Sequence, residues 1–186
     1  MFRTISDMIF EPVSNSIESG AGFISVYAEE TEETYRFIIG DDGPGLSLEM
    51  VYDPFTGSKS KHASRKVHLG LPLLEQTVSN MNGTVEIRSD KEWGTSIMIE
   101  FPKSHIDCPP LGDLTGMFSQ SLAFPGGYEM VIRRKGTADS EYQIVRSELL
   151  ETLGELESTG SRDLVRMYIA SQEEAGDKEH VCLRSH

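Results

Sequence analysis

The sequence contains few cysteines, no long apolar segment and too few basic residues to balance its acidic ones. Its two cysteines, Cys108 and Cys182, lie far apart, so no disulfide framework is predicted and a reduced compartment is favoured. No segment approaches the ~20 consecutive apolar residues that a membrane-spanning helix needs. The N-terminal residues also lack the apolar core and cleavage site of an export signal. We therefore expect a cytoplasmic protein that does not bind membranes.

The charge balance excludes further classes of partner. Asp and Glu number 30 against 17 Lys and Arg, which leaves a net charge of −13. Such a surface repels nucleic acids and anionic membranes at long range. One segment departs from this balance, since no acidic residue lies between Pro54 and Leu74. It contains four basic residues close together, Lys59, Lys61, Arg65 and Lys66. The segment is either a solvated basic loop or a local phosphate-binding region.

Hydrophobic periodicity divides the first hundred residues into helices and strands. Apolar residues at helical spacing predict a first helix over residues 5–17, capped by Thr4 or Ser6. Pro12 predicts either a kink in this helix or a regular start near Glu11, because an interior proline removes a backbone hydrogen bond. The elements expected after it are strands at Phe23–Tyr27 and Tyr35–Gly40, a long loop over 41–68, a helix over 71–81, and strands at Thr84–Ser89 and Thr95–Phe101.

The second half of the chain shows a different order of elements. A boundary is predicted within the proline-containing segment 102–110. A helix, a β-hairpin and two amphipathic helices are expected after it, and the last residues resemble a frayed terminus. The predicted division is a first domain over 1–103, a C-terminal extension over 104–176 and a disordered tail over 177–186. No recognisable chemistry lies in the extension, so we expect it to pack on the first domain and to supply a partner surface.

Two polar residues on the first helix form a candidate catalytic pair. Glu11 and Asn15 are four residues apart and therefore share one face of a helix. A carboxylate and an amide oxygen arranged in this way can hold Mg²⁺ and orient a nucleophile. Taken alone, the same pair also fits an ordinary exposed polar face.

A second candidate follows the predicted strand that ends near residue 40. Asp41 lies at the strand end, where a carboxylate can accept a hydrogen bond from the exocyclic amine of a base. Gly43 and Gly45 follow it and would let the backbone approach a ligand closely. An ordinary Asp-Gly and Pro-Gly turn is the alternative interpretation.

Three further segments carry candidate ligand-binding residues. Lys59 follows an Asp-Pro-Phe motif in the long loop. His68 and Gly70 open the next helix, whose free N–H groups and positive dipole end suit a phosphate. Thr95 follows a glycine and begins the last strand of the first domain, where its hydroxyl could join a hydrogen-bond network around a base.

The order of these motifs resembles that of the GHKL ATPases, the superfamily of gyrase, chaperone, histidine-kinase and mismatch-repair ATPases. The resemblance covers residues 5–102 and implies an α/β two-layer sandwich of the Bergerat type, with a mixed sheet, helices on one face and ATP held under a lid. The small extension of helix, β-hairpin and two helices would follow it. Carried over residue by residue, the resemblance implies the following roles: Asn15 for Mg²⁺, Asp41 for the adenine amine, Gly43 and Gly45 for the base pocket, Lys59 and Gly70 for phosphate, Thr95 near the adenine, and Glu11 as general base. His68 either contacts a phosphate or is exposed to solvent.

Some positions depart from the family pattern. Lys66 and His68 occupy two glycine positions of the lid, so either the lid would bind phosphate more loosely or the two basic side chains would replace backbone contacts there. Asp42 stands where asparagine is common and would add negative charge beside the pocket. Pro12 follows Glu11 and could displace that carboxylate from its catalytic position. ATP binding is therefore better supported by the pattern than hydrolysis or transfer.

Three functions remain open within this resemblance. The first is a stand-alone histidine-kinase-like ATPase domain that transfers phosphate to, or regulates, a protein partner. The second is a serine kinase of the anti-sigma-factor type, which the segment Glu11-Pro12-Val13-Ser14-Asn15 resembles. The third is a non-catalytic module in which ATP switches a protein interface. Because few residues precede Glu11 and none is histidine, we expect any transfer to be to another protein. A homodimer is an open arrangement.

Overall fold

The computed structural model describes residues 4–46, 70–137 and 140–183, with side chains up to residue 174. Its helices are α1 (Ile5–Glu18), α2 (Gly70–Asn80), α3 (Leu114–Leu122), α4 (Arg146–Leu153) and α5 (Thr159–Leu183). Its strands are β1 (Phe23–Glu30), β2 (Thr34–Asp41), β3 (Thr84–Asp90), β4 (Gly94–Pro102), β5 (Glu129–Lys135) and β6 (Glu141–Val145). Each predicted strand is present and ends within a few residues of its expected bounds.

The strands in the described residues form one mixed sheet in the order β3-β4-β2-β1-β5-β6. Neighbouring strands are antiparallel except β1 and β5, which run parallel. Alternate residues such as Ile24, Val26 and Ala28 of β1 are buried, because successive side chains of a strand point to opposite faces. These residues and the apolar sides of the helices form one hydrophobic core. The two-layer arrangement confirms the predicted α/β fold class.

Helix α1 passes through Pro12 without interruption and begins at Ile5, so the predicted start near Glu11 is wrong. Thr4 accepts a hydrogen bond from the backbone of Asp7, whose side chain accepts one from the backbone of Thr4. This capping box fixes the helix start. A proline inside a helix costs about 3 kcal/mol. The helix also buries four apolar side chains completely, each worth about 1.5–3 kcal/mol: Ile5, Met8, Ile9 and Val13. Burial therefore outweighs the proline.

The C-terminal extension joins the same sheet and the same core. Strand β5 pairs with β1 along its whole length, and α3 packs against both α1 and α5. At the end of β1, Glu30 binds Lys103 and the buried Arg134, each at 2.7 Å, and so connects the first half of the chain to β5. The predicted boundary near residue 103 stays a prediction, although no break in the sheet accompanies it.

Helix α5 is longer than the sequence analysis predicted. Its backbone is helical from Thr159 to Leu183, whereas a disordered tail was expected from residue 177. Most residues of the segment 170–183 are compatible with a helix, and none is proline. Leu156 lies between α4 and α5 and is buried. Within the described segments, no helix combines the length and apolar character needed to cross a membrane.

Candidate functional site

Three elements meet at one end of the sheet and enclose a small cavity. They are the C-terminal half of α1, the end of β2 and the start of β4, and the register pairs Asp41 directly with Thr95. The cavity has a volume of about 50 Å³. Its polar lining comes from Asn15, Ser16, Ser19, Asp41 and Thr95, and its apolar lining from Pro12, Leu46, Leu71 and Ile97. The fold thus brings together Asn15, Asp41 and Thr95, which were predicted from separate motifs.

The carboxylate of Asp41 is held from two sides. The hydroxyl of Ser16 donates to Oδ2 at 2.6 Å, and the backbone N–H of Gly43 donates to Oδ1 at 2.9 Å. Ser16 is only 5% exposed, so this contact is shielded from water. Each carboxylate oxygen has two lone-pair sites, and among the described residues each oxygen accepts one of these hydrogen bonds, so each can accept another from a ligand. The carboxylate is therefore a preoriented hydrogen-bond acceptor.

Thr95, the partner of Asp41 in the sheet, belongs to a pair of hydroxyl groups. Its Oγ1 lies 2.9 Å from Oγ of Ser89, and either group can donate. Ser89 also accepts the backbone N–H of Leu46 at 2.6 Å. Neither Ser89 nor Ser16 was among the predicted site residues. The predicted hairpin could have shown Ser89, because an antiparallel register places Ser89 opposite Thr95.

Two glycines allow the turns around the cavity to approach each other. Gly45 has φ +74°, and a Cβ there would lie 2.6 Å from the carbonyl oxygen of Asp90. Gly94 has φ +92°, and a Cβ there would overlap the carbonyl of Asp41. Both the positive φ and the close contact exclude a larger residue at these positions. The glycine that precedes Thr95 is thus required by the join between β2 and β4.

Asp42 is not among the residues that line this cavity, and the expectation that it adds negative charge beside the pocket stays a prediction. Its Oδ1 accepts the backbone N–H groups of Gly22 at 2.7 Å and Phe23 at 2.8 Å. The side chain therefore connects the end of β2 to the start of β1. Because an asparagine oxygen could accept the same two hydrogen bonds, this position needs an acceptor and not a charge.

Helix α1 presents the predicted catalytic pair. Asn15 is half-buried and lines the cavity, and Glu11 lies one turn earlier on the same helix. The two positions are about 6 Å apart along the axis, given a rise of about 1.5 Å per residue. The helix is continuous through Pro12, which itself lines the cavity, whereas Glu11 is not among the residues that line it.

Of the three predicted phosphate-binding residues, the structure describes one. Gly70 begins α2 as predicted, and Leu71 beside it lines the cavity. Lys59 and His68 lie outside the described residues. The roles assigned to them stay predictions.

Comparison with known proteins identifies the class to which this architecture belongs. Residues 3–105 match the model of the family described as histidine kinase-, DNA gyrase B- and HSP90-like ATPase. The match covers more than half of the chain, and the chain belongs to this family. It therefore carries a histidine-kinase-like, nucleotide-binding ATPase domain.

Among curated proteins, the chain is similar to two bacterial kinases. It is 28% identical over 96 residues to Sporulation kinase A of Bacillus subtilis, an alignment that covers 49% of this chain and 15% of the relative. It is 24% identical over 110 residues to the CAI-1 autoinducer sensor kinase/phosphatase CqsS of Vibrio cholerae, with 59% and 16% covered. The chain thus spans less than a fifth of the length of either relative.

Among solved structures, the chain is similar to the N-terminal domain of a DNA repair protein. The TM-score is 0.52 at 9% sequence identity, and the alignment covers 77% of this chain and 52% of the other. At this identity the likeness concerns the fold alone. Because the aligned share exceeds the family match, it includes part of the extension.

Proposed function

We propose that the chain binds ATP together with Mg²⁺ in the cavity between α1, β2 and β4, and uses it to phosphorylate or regulate a protein partner. The observation that carries this proposal is the carboxylate of Asp41, which Ser16 and Gly43 hold in place while it keeps acceptor capacity toward the cavity. Thr95 and the apolar side chains of Leu71 and Ile97 complete the surroundings that an adenine ring needs.

The size of the cavity fits one end of a nucleotide. A volume of about 50 Å³ is well below the ~300 Å³ or more of small-molecule sites. The described residues therefore supply the base end in this proposal. The phosphate end would involve the segment 47–69, from which Lys59 and His68 come, and the N-terminus of α2 at Gly70.

The donor set at α1 suits Mg²⁺. The amide oxygen of Asn15 is a hard ligand of the kind that Mg²⁺ accepts alongside water and phosphate oxygens. Bound there, the ion would neutralise charge on the phosphates. Glu11, one turn away, would accept a proton from the attacking group, which is the role of a general base. Its place on a rigid helix favours this role.

Binding is tested by calorimetric titration of Mg-ATP and Mg-GTP into the full chain and its variants. We expect ATP to bind and GTP to bind much more weakly, because guanine places a carbonyl where adenine has the amine that Asp41 accepts. Asp41→Asn should weaken ATP binding about tenfold or more, since a buried hydrogen bond to a charged group is worth about 1.5–3 kcal/mol. Asp42→Asn is the matched control and should leave binding unchanged. Equal binding of ATP by the wild type and Asp41→Asn would refute the base-site assignment.

The metal assignment is tested separately. Asn15→Ala should weaken Mg-ATP binding and leave the binding of ATP in the presence of a chelator nearly unchanged. The same loss with and without Mg²⁺ would show that Asn15 supports the fold or the base and not the ion.

The fate of the phosphate distinguishes the open functions. Both curated relatives are named as kinases, which favours transfer over a passive switch. Glu11→Gln should abolish transfer to a partner but preserve ATP binding. Acid-labile phosphate on the partner would indicate histidine, whereas acid-stable phosphate would indicate a serine kinase of the anti-sigma-factor type. ATP binding with no transfer in the wild type would leave the non-catalytic module, whether monomer or homodimer.

A further inference from the structure

A second and larger cavity lies in the C-terminal extension. It has a volume of about 330 Å³ and is enclosed by β6, α4 and α5. Its lining begins at Gln143, whereas the family match ends at residue 105. Two strands separate β6 from β2, so about 14 Å of sheet lies between the two cavities at a strand spacing of about 4.8 Å. The volume falls in the range of small-ligand sites, which begins at about 300 Å³.

The cavity has an apolar floor and an apolar mouth. Ile144 and Val165 form the floor and are 2% and 1% exposed. Leu164 and Tyr168 of α5 line the mouth and are 53% and 45% exposed, and Met167 beside them is 68% exposed. These three account for a large share of the exposed large hydrophobic side chains in the described residues. Exposed apolar side chains collected at one concave place typically mark a binding site.

The charged group in the cavity lining is the carboxylate of Glu148. Glu148 is exposed, and among the described residues its side chain forms neither an ion pair nor a hydrogen bond. The first turn of α4 suits an anion because of the helix dipole, but the dipole does not explain an apolar cavity beside it. The aromatic ring of Tyr168 adds a surface that attracts cations. Carboxylate and ring together favour a positively charged ligand.

We propose that this cavity binds a small organic ammonium ion. The apolar body of the ligand would lie against Ile144 and Val165 and lose its contact with water, which stabilises the complex in proportion to the area buried. The ammonium group would donate to Glu148 and face Tyr168. A concave cavity of this volume fits a small molecule better than the broad surface of a protein partner.

The test compares three probes with the same alkyl chain, which are octylamine, octanol and octanoic acid. Each is titrated into the full chain near neutral pH and followed by calorimetry and by amide chemical shifts. We expect the ammonium form of octylamine to bind most tightly, octanol more weakly and octanoate most weakly. Perturbed amides should cluster on β6, α4 and α5.

Three variants test whether Glu148 binds the ammonium group and whether the probes occupy this cavity. Glu148→Gln should weaken the binding of octylammonium about fivefold, which is the upper end for an exposed ion pair, and leave the binding of octanol unchanged. Glu151→Gln removes a charge from the same helix outside the cavity lining and should change neither. Thr152→Trp, at an exposed position in the lining, should block all three probes. Equal affinities for the three probes, unchanged octylammonium binding in Glu148→Gln, or no binding of any probe would overturn the proposal.

Discussion

The hydrogen bond between Ser16 and Asp41 predicts a measurable difference between two serines of the same helix. Ser16→Ala removes a buried hydroxyl that donates to a carboxylate at 2.6 Å. Such a bond contributes about 1.5–3 kcal/mol to stability. Alanine recovers about 0.5 kcal/mol because it is the better helix former. The net loss expected for Ser16→Ala is therefore about 1–2.5 kcal/mol.

Ser14→Ala is the matched control. The hydroxyl of Ser14 donates to the backbone carbonyl of Glu11 within the helix, and the residue is half-buried. Only the helix-propensity gain should remain, so Ser14→Ala should be neutral or more stable by a few tenths of a kcal/mol. Urea denaturation measures both variants against the wild type, with stability compared at equal m-values.

The same pair of variants separates stability from nucleotide binding. Without Ser16, the carboxylate of Asp41 keeps, among the residues that the structure describes, the N–H of Gly43 as its hydrogen-bond donor and is less well oriented. We expect Ser16→Ala to bind ATP several-fold more weakly than Ser14→Ala at a temperature where both are folded. If the two variants match in stability and in affinity, the argument that Ser16 orients Asp41 is refuted.

Three other predictions concern the sheet and its turns. Glu30 is partly buried, which raises its pKa, but hydrogen bonds from two basic side chains lower it overall. Ionised Glu30 therefore stabilises the fold above its pKa in the unfolded chain, about 4.3, and this stabilisation is lost as the pH falls further. The difference in free energy of unfolding between wild type and Glu30→Gln should therefore shrink in acid and persist in alkali. Gly94→Ala should lower stability by about 1–3 kcal/mol in denaturation experiments, because φ is +92° and the Cβ overlaps a carbonyl, whereas Gly127→Ala, with open space around it, should not. Trp93, the single tryptophan, is 54% exposed and lies in the turn between β3 and β4, two residues before Thr95 of the cavity. ATP should therefore change its fluorescence in the wild type and not in Asp41→Asn.

The sequence predicted more of the site than isolated motifs usually permit. Asp41 and Thr95 were separate weak candidates, and the register of β2 and β4 makes them direct neighbours. That register follows from the alternating apolar pattern of both strands, because a slip by one residue would turn their buried side chains to the opposite face. Once β2 and β4 pair, the alternating pattern therefore places Asp41 opposite Thr95, and the order of the motifs indicated that both residues belong to one site.

Two features that local patterns did not predict depend on contacts between distant residues. The side chain of Asp42 accepts hydrogen bonds from the backbone N–H groups of Gly22 and Phe23, which lie at the start of β1 and about 20 residues away in the chain. The continuity of α1 through Pro12 is set by the core on which its apolar side packs. Sequence patterns account for the hydrogen bond that a proline removes, but not for the burial of apolar side chains that offsets its cost.

The sequence by itself determined the elements, the face of each strand that is buried and the order of the nucleotide motifs, since these depend on local periodicity and turn chemistry. Only the tertiary structure decided how the extension is attached. The parallel pairing of β5 with β1 joins segments about 100 residues apart, and no local pattern specifies such a partner. The cavity beside Glu148 also depends on the tertiary structure, because it is formed where β6, α4 and α5 meet.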